Sequence, residues 1–145
     1  MKIVDITSLY SRNGGGIRTY LREKGRRLAE LGHQVHRIVP GAVRASHRDD
    51  DGVTEHTLPG PPLPFDRNYR LFASFDEIGE LLHQLCPDVV EVGSHYFLPW
   101  RIRELAPRRT RIVGFFHSNV PETFVAPAEA RWPRPLAAVA QRTAW

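Results

Sequence analysis

Short β-branched runs alternate along this chain with stretches in which apolar residues recur every three or four positions. "KIVDI" at 2–6 is the first such run and predicts a strand. Over 16–31, Ile17, Tyr20, Leu21, Leu28 and Leu31 fall on one side of a helix, and Arg22, Glu23, Arg26, Arg27 and Glu30 on the other. Gly32 stops that helix, and "QVHRIVP" at 34–40 is the second strand. The loops suit a right-handed parallel β-α-β crossover.

Residues 41–52 are polar and turn-like and end in "DDDG". "VTEHTL" at 53–58 alternates and reads as a third strand. Pro59, Pro61, Pro62 and Pro64 make "PGPPLPFDRNYR" an extended loop. A helix is expected over 73–85, carried by Phe75, Ile78, Leu81, Leu82 and Leu85 and ended by Pro87. "DVVEV" at 88–92 is a buried-type strand, "YFLPWRIREL" a short helix and "RIVGFF" at 111–116 the next strand. After "HSNVPETF" a further helix begins near Leu136. Strands alternating with helices predict an α/β domain with a doubly wound, Rossmann-like parallel sheet. The last helix has neither a cap nor a following strand. Residues 1–145 are therefore expected to form one domain, incomplete at its C-terminal end, and to be the first part of a longer protein.

Hydrophobic residues make up 41% of the chain and charged residues 25%, the balance of a folded globular domain. No apolar run approaches the roughly 20 residues that span a bilayer. "MKIVDITSLYSRNGGG" does not read as a signal peptide. Cys86 is the only cysteine, so no disulfide can form within the chain; it reads as a buried thiol. Cytoplasmic residence is expected. His33 and His36 read as helix-end and strand-face residues, and His56 as a surface residue.

The net charge of +4 is concentrated in "WRIRELAPRRTR", where Arg101, Arg103, Arg108, Arg109 and Arg111 face one acid, Glu104. A solvated helix face and turn accounts for it; the sharper reading is a patch facing anionic lipid or nucleic acid. Neither an aromatic-interleaved platform nor a helix-turn-helix pattern accompanies the arginines, so nucleic acid is not an expected partner.

Ligands in open α/β sheets bind outside the carboxyl ends of the strands. That rule makes neighbours of Gly14-Gly15-Gly16 after the first strand, Gly93-Ser94-His95 after "DVVEV", and His117-Ser118-Asn119 after "RIVGFF". Glycine lets backbone amides close on a ligand, and a helix that begins near Gly16 turns its positive end to the same place. The combination suits a phosphate or diphosphate. A dinucleotide G-x-G-x-x-G fails at Thr19, and Pro40 and Gly41 stand where the ribose-binding acid belongs. No Walker A sequence occurs. "DDDG" lacks EF-hand spacing and reads as a solvated turn, so no metal site is expected.

"GGGIRTYLREKGRRLAELGHQVHRIVPG" resembles the N-terminal signature of GT-B fold glycosyltransferases of family 4, including the turn of Leu28, Gly32, His33 and Val35. "PDVVEVGSHYFLPW" and "VGFFHSNVPETF" resemble two further segments of that family, the latter including relatives that act on lipid acceptors. The resemblance covers nearly the whole chain. It implies the N-terminal, acceptor-side half of a GT-B architecture whose C-terminal domain is absent. The reaction implied is retaining transfer of a sugar from a nucleotide-sugar donor to an acceptor hydroxyl. By position, Gly14, Gly15 and Gly16 would approach the donor diphosphate, and His117 would act beside the anomeric centre as the catalytic residue. Gly93, Ser94, His95, Ser118 and Asn119 would flank the acceptor or sugar, as would the loop from Pro61 to Tyr69.

No metal or other cofactor is expected, the nucleotide-sugar being a substrate. The absent domain would carry two glutamates eight apart, a spacing that this chain lacks, and would complete the site in cis or in trans. The 145 residues alone are then expected to bind donor poorly and not to turn over. The acceptor would be a carbohydrate or a lipid, with peripheral contact to the inner face of the membrane through the arginine-rich segment. The alternatives are a Rossmann-type nucleotide-binding domain of an oxidoreductase, and a non-catalytic or split remnant that needs a partner chain.

Overall fold

The structure, a computed structural model, describes residues 1–115 apart from 9, 12, 14, 65 and 94–96; residues 116–145 lie outside the described residues. The chain runs β1 (Lys2–Ile6), α1 (Gly16–Glu30), β2 (Gln34–Gly41), β3 (Ala45–Arg48), β4 (Thr54–Pro59), α2 (Phe75–Leu85), β5 (Val89–Val92), α3 (Phe97–Leu105) and β6 (Arg111–Gly114). The six strands form one sheet in the order β3-β4-β2-β1-β5-β6. All neighbours pair in parallel except β3, which runs antiparallel to β4. This is the expected doubly wound α/β fold, with one strand added at an edge. Residues 41–52 are not simply a turn: they hold β3, and "DDDG" closes its hairpin to β4 through Asp49 N–H to Val53 O at 2.9 Å.

Helices cover both faces, and strand alternation decides which side chains each receives. Val4, Ile6, Ile38, Leu58, Val90 and Val92 pack against Ile78 and Leu82 of α2 and Leu98 and Ile102 of α3. On the other face α1 contributes a smaller cluster, in which Leu21 meets Tyr10 and Val39. Helix α1 ends as the sequence suggests: Gly32 takes a left-handed φ of 82°, and the amides of Gly32 and His33 bond the carbonyls of Ala29 and Leu28. Leu31 does not join the apolar stripe. It is the capping residue and is 73% exposed. Helix α2 starts at Phe75 rather than at 73, because the Ser74 hydroxyl caps it by accepting from Glu77 N–H.

Two further expectations are overturned. Cys86 is exposed: it ends α2 in a left-handed conformation just before Pro87, and its thiol points to the His83 carbonyl. His56 is buried, since β4 is covered on both faces and does not alternate between core and solvent. Its ring stacks on His36, whose Nδ1 lies 3.0 Å from His56 Nε2, and Ser46 Oγ lies 2.8 Å from His56 Nδ1. The chain closes with both rings neutral if Ser46 donates to His56 and His56 donates to His36.

Burial, followed by the charges of His56, Lys2 and Arg48, pushes His36 down to about 4; burial also lowers His56. The unfolded chain therefore takes up more protons than the native one as pH falls from 6.5 to about 4, and stability is lost in that window. For a half-buried ring the loss is roughly 1–2 kcal/mol. The Asp5 carboxyl, raised by burial to about 6, changes stability with the opposite sign over the same window. The test is thus a difference: the urea midpoint of a His36→Asn variant should fall less than that of wild type between about pH 7 and about pH 4.5. Equal falls would remove the pair as an acid-sensitive element.

Candidate active site

The chain leaves β1 toward β2 on one side and returns on the other side of β1 to form β5 and β6. The topological switch point therefore lies between the carboxyl ends of β1 and β5. Hydrogen bonds lock these ends to each other and to the end of β6. Gly93 N–H donates to the Ile6 carbonyl at 2.8 Å, Thr7 Oγ1 donates to the Gly93 carbonyl at 3.2 Å, and Phe115 N–H donates to the Val92 carbonyl at 3.0 Å.

The glycine-rich turn opens onto this edge. Gly15 has φ +114°, a conformation that a side chain would strain, and Gly16 begins α1. A Cβ on either residue would meet nothing within 4 Å. Among the described residues no side chain caps α1, and its first turn carries no acid. The first intrahelical bond is Thr19 N–H to the Gly15 carbonyl, so the amides of Gly16 and Ile17 precede it. Helix α2 differs, with its Ser74 cap and the acids Asp76 and Glu77 in its first turn. Among the described residues nothing caps the positive end of α1 at the switch point, an arrangement suited to an anion. Asn13 anchors the turn: its N–H donates to Ser11 Oγ at 3.3 Å, and its Nδ2 donates to Asn68 Oδ1 at 2.8 Å. The proline-rich loop that supplies Asn68 is not simply extended. It folds back on itself through a bridge between Pro62 and Arg70.

Of the residues singled out in the sequence, Gly15 and Gly16 lie exposed where α1 begins, and Gly93 lies buried at the end of β5, bonded to Ile6 and Thr7. Gly14, Ser94, His95, His117, Ser118 and Asn119 lie outside the described residues. No group of three His, Cys, Asp or Glu side chains among the described residues is arranged to hold a metal ion.

Beneath α1 runs a feature that the sequence reading did not identify. Glu55, Arg37, Asp5 and Glu91 stand side by side on β4, β2, β1 and β5, in direct register on one face. Arg37 is 1% exposed. Its Nη1 lies 3.2 Å from Glu55 Oε2, and its Nη2 donates to the Leu21 carbonyl at 3.0 Å. The Tyr10 hydroxyl donates to the same Glu55 oxygen at 2.9 Å. Lys24 reaches down from α1 to Asp5 Oδ1 at 2.5 Å and Glu91 Oε1 at 2.7 Å. Burial opposes its charge, but the two carboxylates outweigh that and hold its pKa above the ordinary value. The sequence did carry a signal: Lys24 falls between Leu21 and Leu28 on the inward stripe, and Asp5 and Glu91 are lone acids in apolar strands.

The fold and this edge define a Rossmann-like α/β domain that offers a glycine turn and a helix terminus uncapped among the described residues at its switch point. Residues 14–144 match the model of Glycosyltransferase Family 4, and the chain belongs to that family. It is also 33% identical over 98 residues to the GDP-mannose-dependent alpha-(1-6)-phosphatidylinositol dimannoside mannosyltransferase of Mycobacterium tuberculosis (strain ATCC 25177 / H37Ra). The same protein of strain CDC 1551 / Oshkosh matches equally. The matched stretch covers 68% of this chain and 26% of each relative, so the chain spans about a quarter of the curated relatives' length.

Proposed function

We propose that this chain is the N-terminal, acceptor-side part of a retaining glycosyltransferase that moves a sugar from a nucleotide-sugar donor to an acceptor hydroxyl. The observation that carries the reading is the amide end of α1, uncapped among the described residues, in a family 4 domain whose strand order reverses between β1 and β5. Departure of a nucleoside diphosphate builds negative charge on its phosphates, and preorganised amides stabilise that charge. In this reading Gly14, Gly15 and Gly16 receive the diphosphate, and His117 lies at the transferred sugar as the catalytic residue. Gly93, Ser94, His95, Ser118 and Asn119 flank the sugar or acceptor. A C-terminal domain, in cis or in trans, grips the nucleotide. No metal is required, and the site works on the cytoplasmic side. The relatives' names point to GDP-mannose as the donor to try first and to a phosphoinositide glycolipid as acceptor.

The test is donor turnover by the full-length gene product, together with a Gly16→Ala variant. Open space around Gly16 and its helical position leave stability unchanged or slightly raised. The added methyl stands where the diphosphate must approach, so turnover should fall by at least about tenfold. A variant as active as wild type, or robust transfer by residues 1–145 alone, would sink the reading.

A lipid acceptor is favoured by α3 and the turn after it. Phe97 and Trp100 are 75% and 70% exposed, and Arg103, Arg108, Arg109 and Arg111 are exposed nearby in sequence. Apolar rings beside cations suit an anionic membrane surface. Replacing those arginines with glutamine should abolish sedimentation with phosphatidylglycerol-containing vesicles. Unchanged sedimentation, or none by wild type, counts against a membrane-bound acceptor. No helix among the described residues is long and apolar enough to cross a membrane.

A further inference from the structure

Helix α1 holds the glycine turn, yet little apolar surface fastens it to the sheet. Its fully buried residues are Leu21 and Gly25. Gly25 is a point of close approach: a Cβ there would lie 2.7 Å from Val53 Cγ2 and 3.4 Å from Arg37 Nη2. Apolar contact of this kind is non-directional, so by itself it would let the helix rock about Gly25.

Directional contacts lie at and just before this point. Lys24 bridges Asp5 on β1 and Glu91 on β5. One turn nearer the glycines, the Tyr20 hydroxyl donates to Glu91 Oε1 at 3.3 Å, and the Tyr20 ring covers the Lys24 ammonium at 5.3 Å. The same ring stacks on Phe115, the residue after β6, with centroids 4.6 Å apart and planes 11° from parallel. Two adjacent carboxylates on one buried face repel each other, and an apolar trio would fill the space with no desolvation penalty. What the ionic cluster adds is direction toward β1 and β5, beside the Arg37 Nη2 bond to the Leu21 carbonyl and the Arg22–Asp51 ion pair that also hold α1.

We propose that Lys24, Glu91 and Tyr20 are positioning residues that orient the amino end of α1 against the ends of β5 and β6, and so aim the Gly16 and Ile17 amides at the donor diphosphate. This rests on the reading of the glycine turn as a diphosphate site. The cluster touches neither substrate nor reacting atoms, and its effect passes through the helix. It also ties the turn to Phe115, two residues before His117 in the sequence.

The experiment measures binding on the full-length gene product. The probe is whichever of GDP, UDP and ADP wild type binds best, set against the matching monophosphate. Wild type should prefer the diphosphate. Glu91→Gln should weaken diphosphate binding on the order of tenfold, and Tyr20→Phe, which keeps the ring stack, several-fold. Neither should change monophosphate binding, a selectivity that general loosening of the fold would not produce. Lys24→Met should behave like Glu91→Gln, and Lys24→Arg should restore most of the loss; if Lys24→Met does not fold, the other two variants decide. Variants that keep the wild-type preference, or that weaken both ligands equally, overturn the positioning role. Wild type that binds no diphosphate, or binds both ligands alike, overturns the diphosphate reading itself and the positioning role with it.

Discussion

Replacing Arg37 with methionine is expected to destabilise the domain by about 3–5 kcal/mol, a large part of the 5–15 kcal/mol that holds most domains folded. The guanidinium is almost wholly enclosed. It faces Glu55 at 3.2 Å, lies 3.7 Å from Asp49, donates to the Leu21 carbonyl and sits over the Tyr10 ring at 5.9 Å. Methionine fills most of the volume but leaves the buried Glu55 carboxylate with the Tyr10 hydroxyl and no compensating charge. Most of the loss is the cost of that stranded charge, not the strength of the ion pair. An Arg37→Met, Glu55→Leu double variant should therefore recover more than half of it. Urea denaturation of the two single variants and the double variant gives the coupling directly. A double variant as unstable as the sum of the singles would mean no coupling between Arg37 and Glu55, and would overturn the stranded-charge account.

Arg37 also marks the boundary of what the sequence made legible. The core strands were legible as short β-branched runs: "KIVDI" reads as a strand and "DVVEV" as a buried one, and Val4, Ile6, Val90 and Val92 lie in the core. The α1 face was not legible in this way. Its partners lie on β1, β2, β4, β5 and α1, far apart in sequence; the inward position of Lys24 and the lone acids Asp5 and Glu91 hint at buried charge, but nothing in the sequence says which groups pair. β3 was missed for a related reason. "ASHR" is exposed at all four residues and pairs only with β4, so no apolar alternation betrays it. Its signal was the hairpin chemistry of "DDDG", with Asp49 Oδ1 accepting from Val53 N–H at 2.9 Å. Cys86 was misplaced because thiols are usually buried, whereas its backbone role before Pro87 decides its exposure. The glycine turn was legible because its use is a backbone property written in residue type: Gly15 takes the left-handed φ that the sequence had reserved for it.

Gly60→Ala is the second large effect, at about 2–4 kcal/mol. Gly60 follows β4 where the proline-rich loop turns back. A Cβ there would sit 1.7 Å from the Leu71 carbonyl oxygen and 2.8 Å from its carbon. Those are backbone atoms, so no rotamer change can make room; two chain segments must separate. The separation pulls on Leu71 N–H to the Pro61 carbonyl at 3.0 Å and on Ala73 N–H to the Pro59 carbonyl at 3.3 Å. It also pulls on Arg70 Nη1 to the Gly60 carbonyl at 2.6 Å. The damage should be local first. Amide exchange at Leu71 and Ala73 should accelerate to a level well above that of the β1 and β5 amides, which report global opening. Through Asn68 the same loop holds Asn13 of the glycine turn, so on the proposed function the full-length variant should also lose donor turnover beyond what its unfolded fraction explains. Unchanged exchange at Leu71 would mean that the loop absorbs the methyl elsewhere and that its closure does not depend on a glycine at this position.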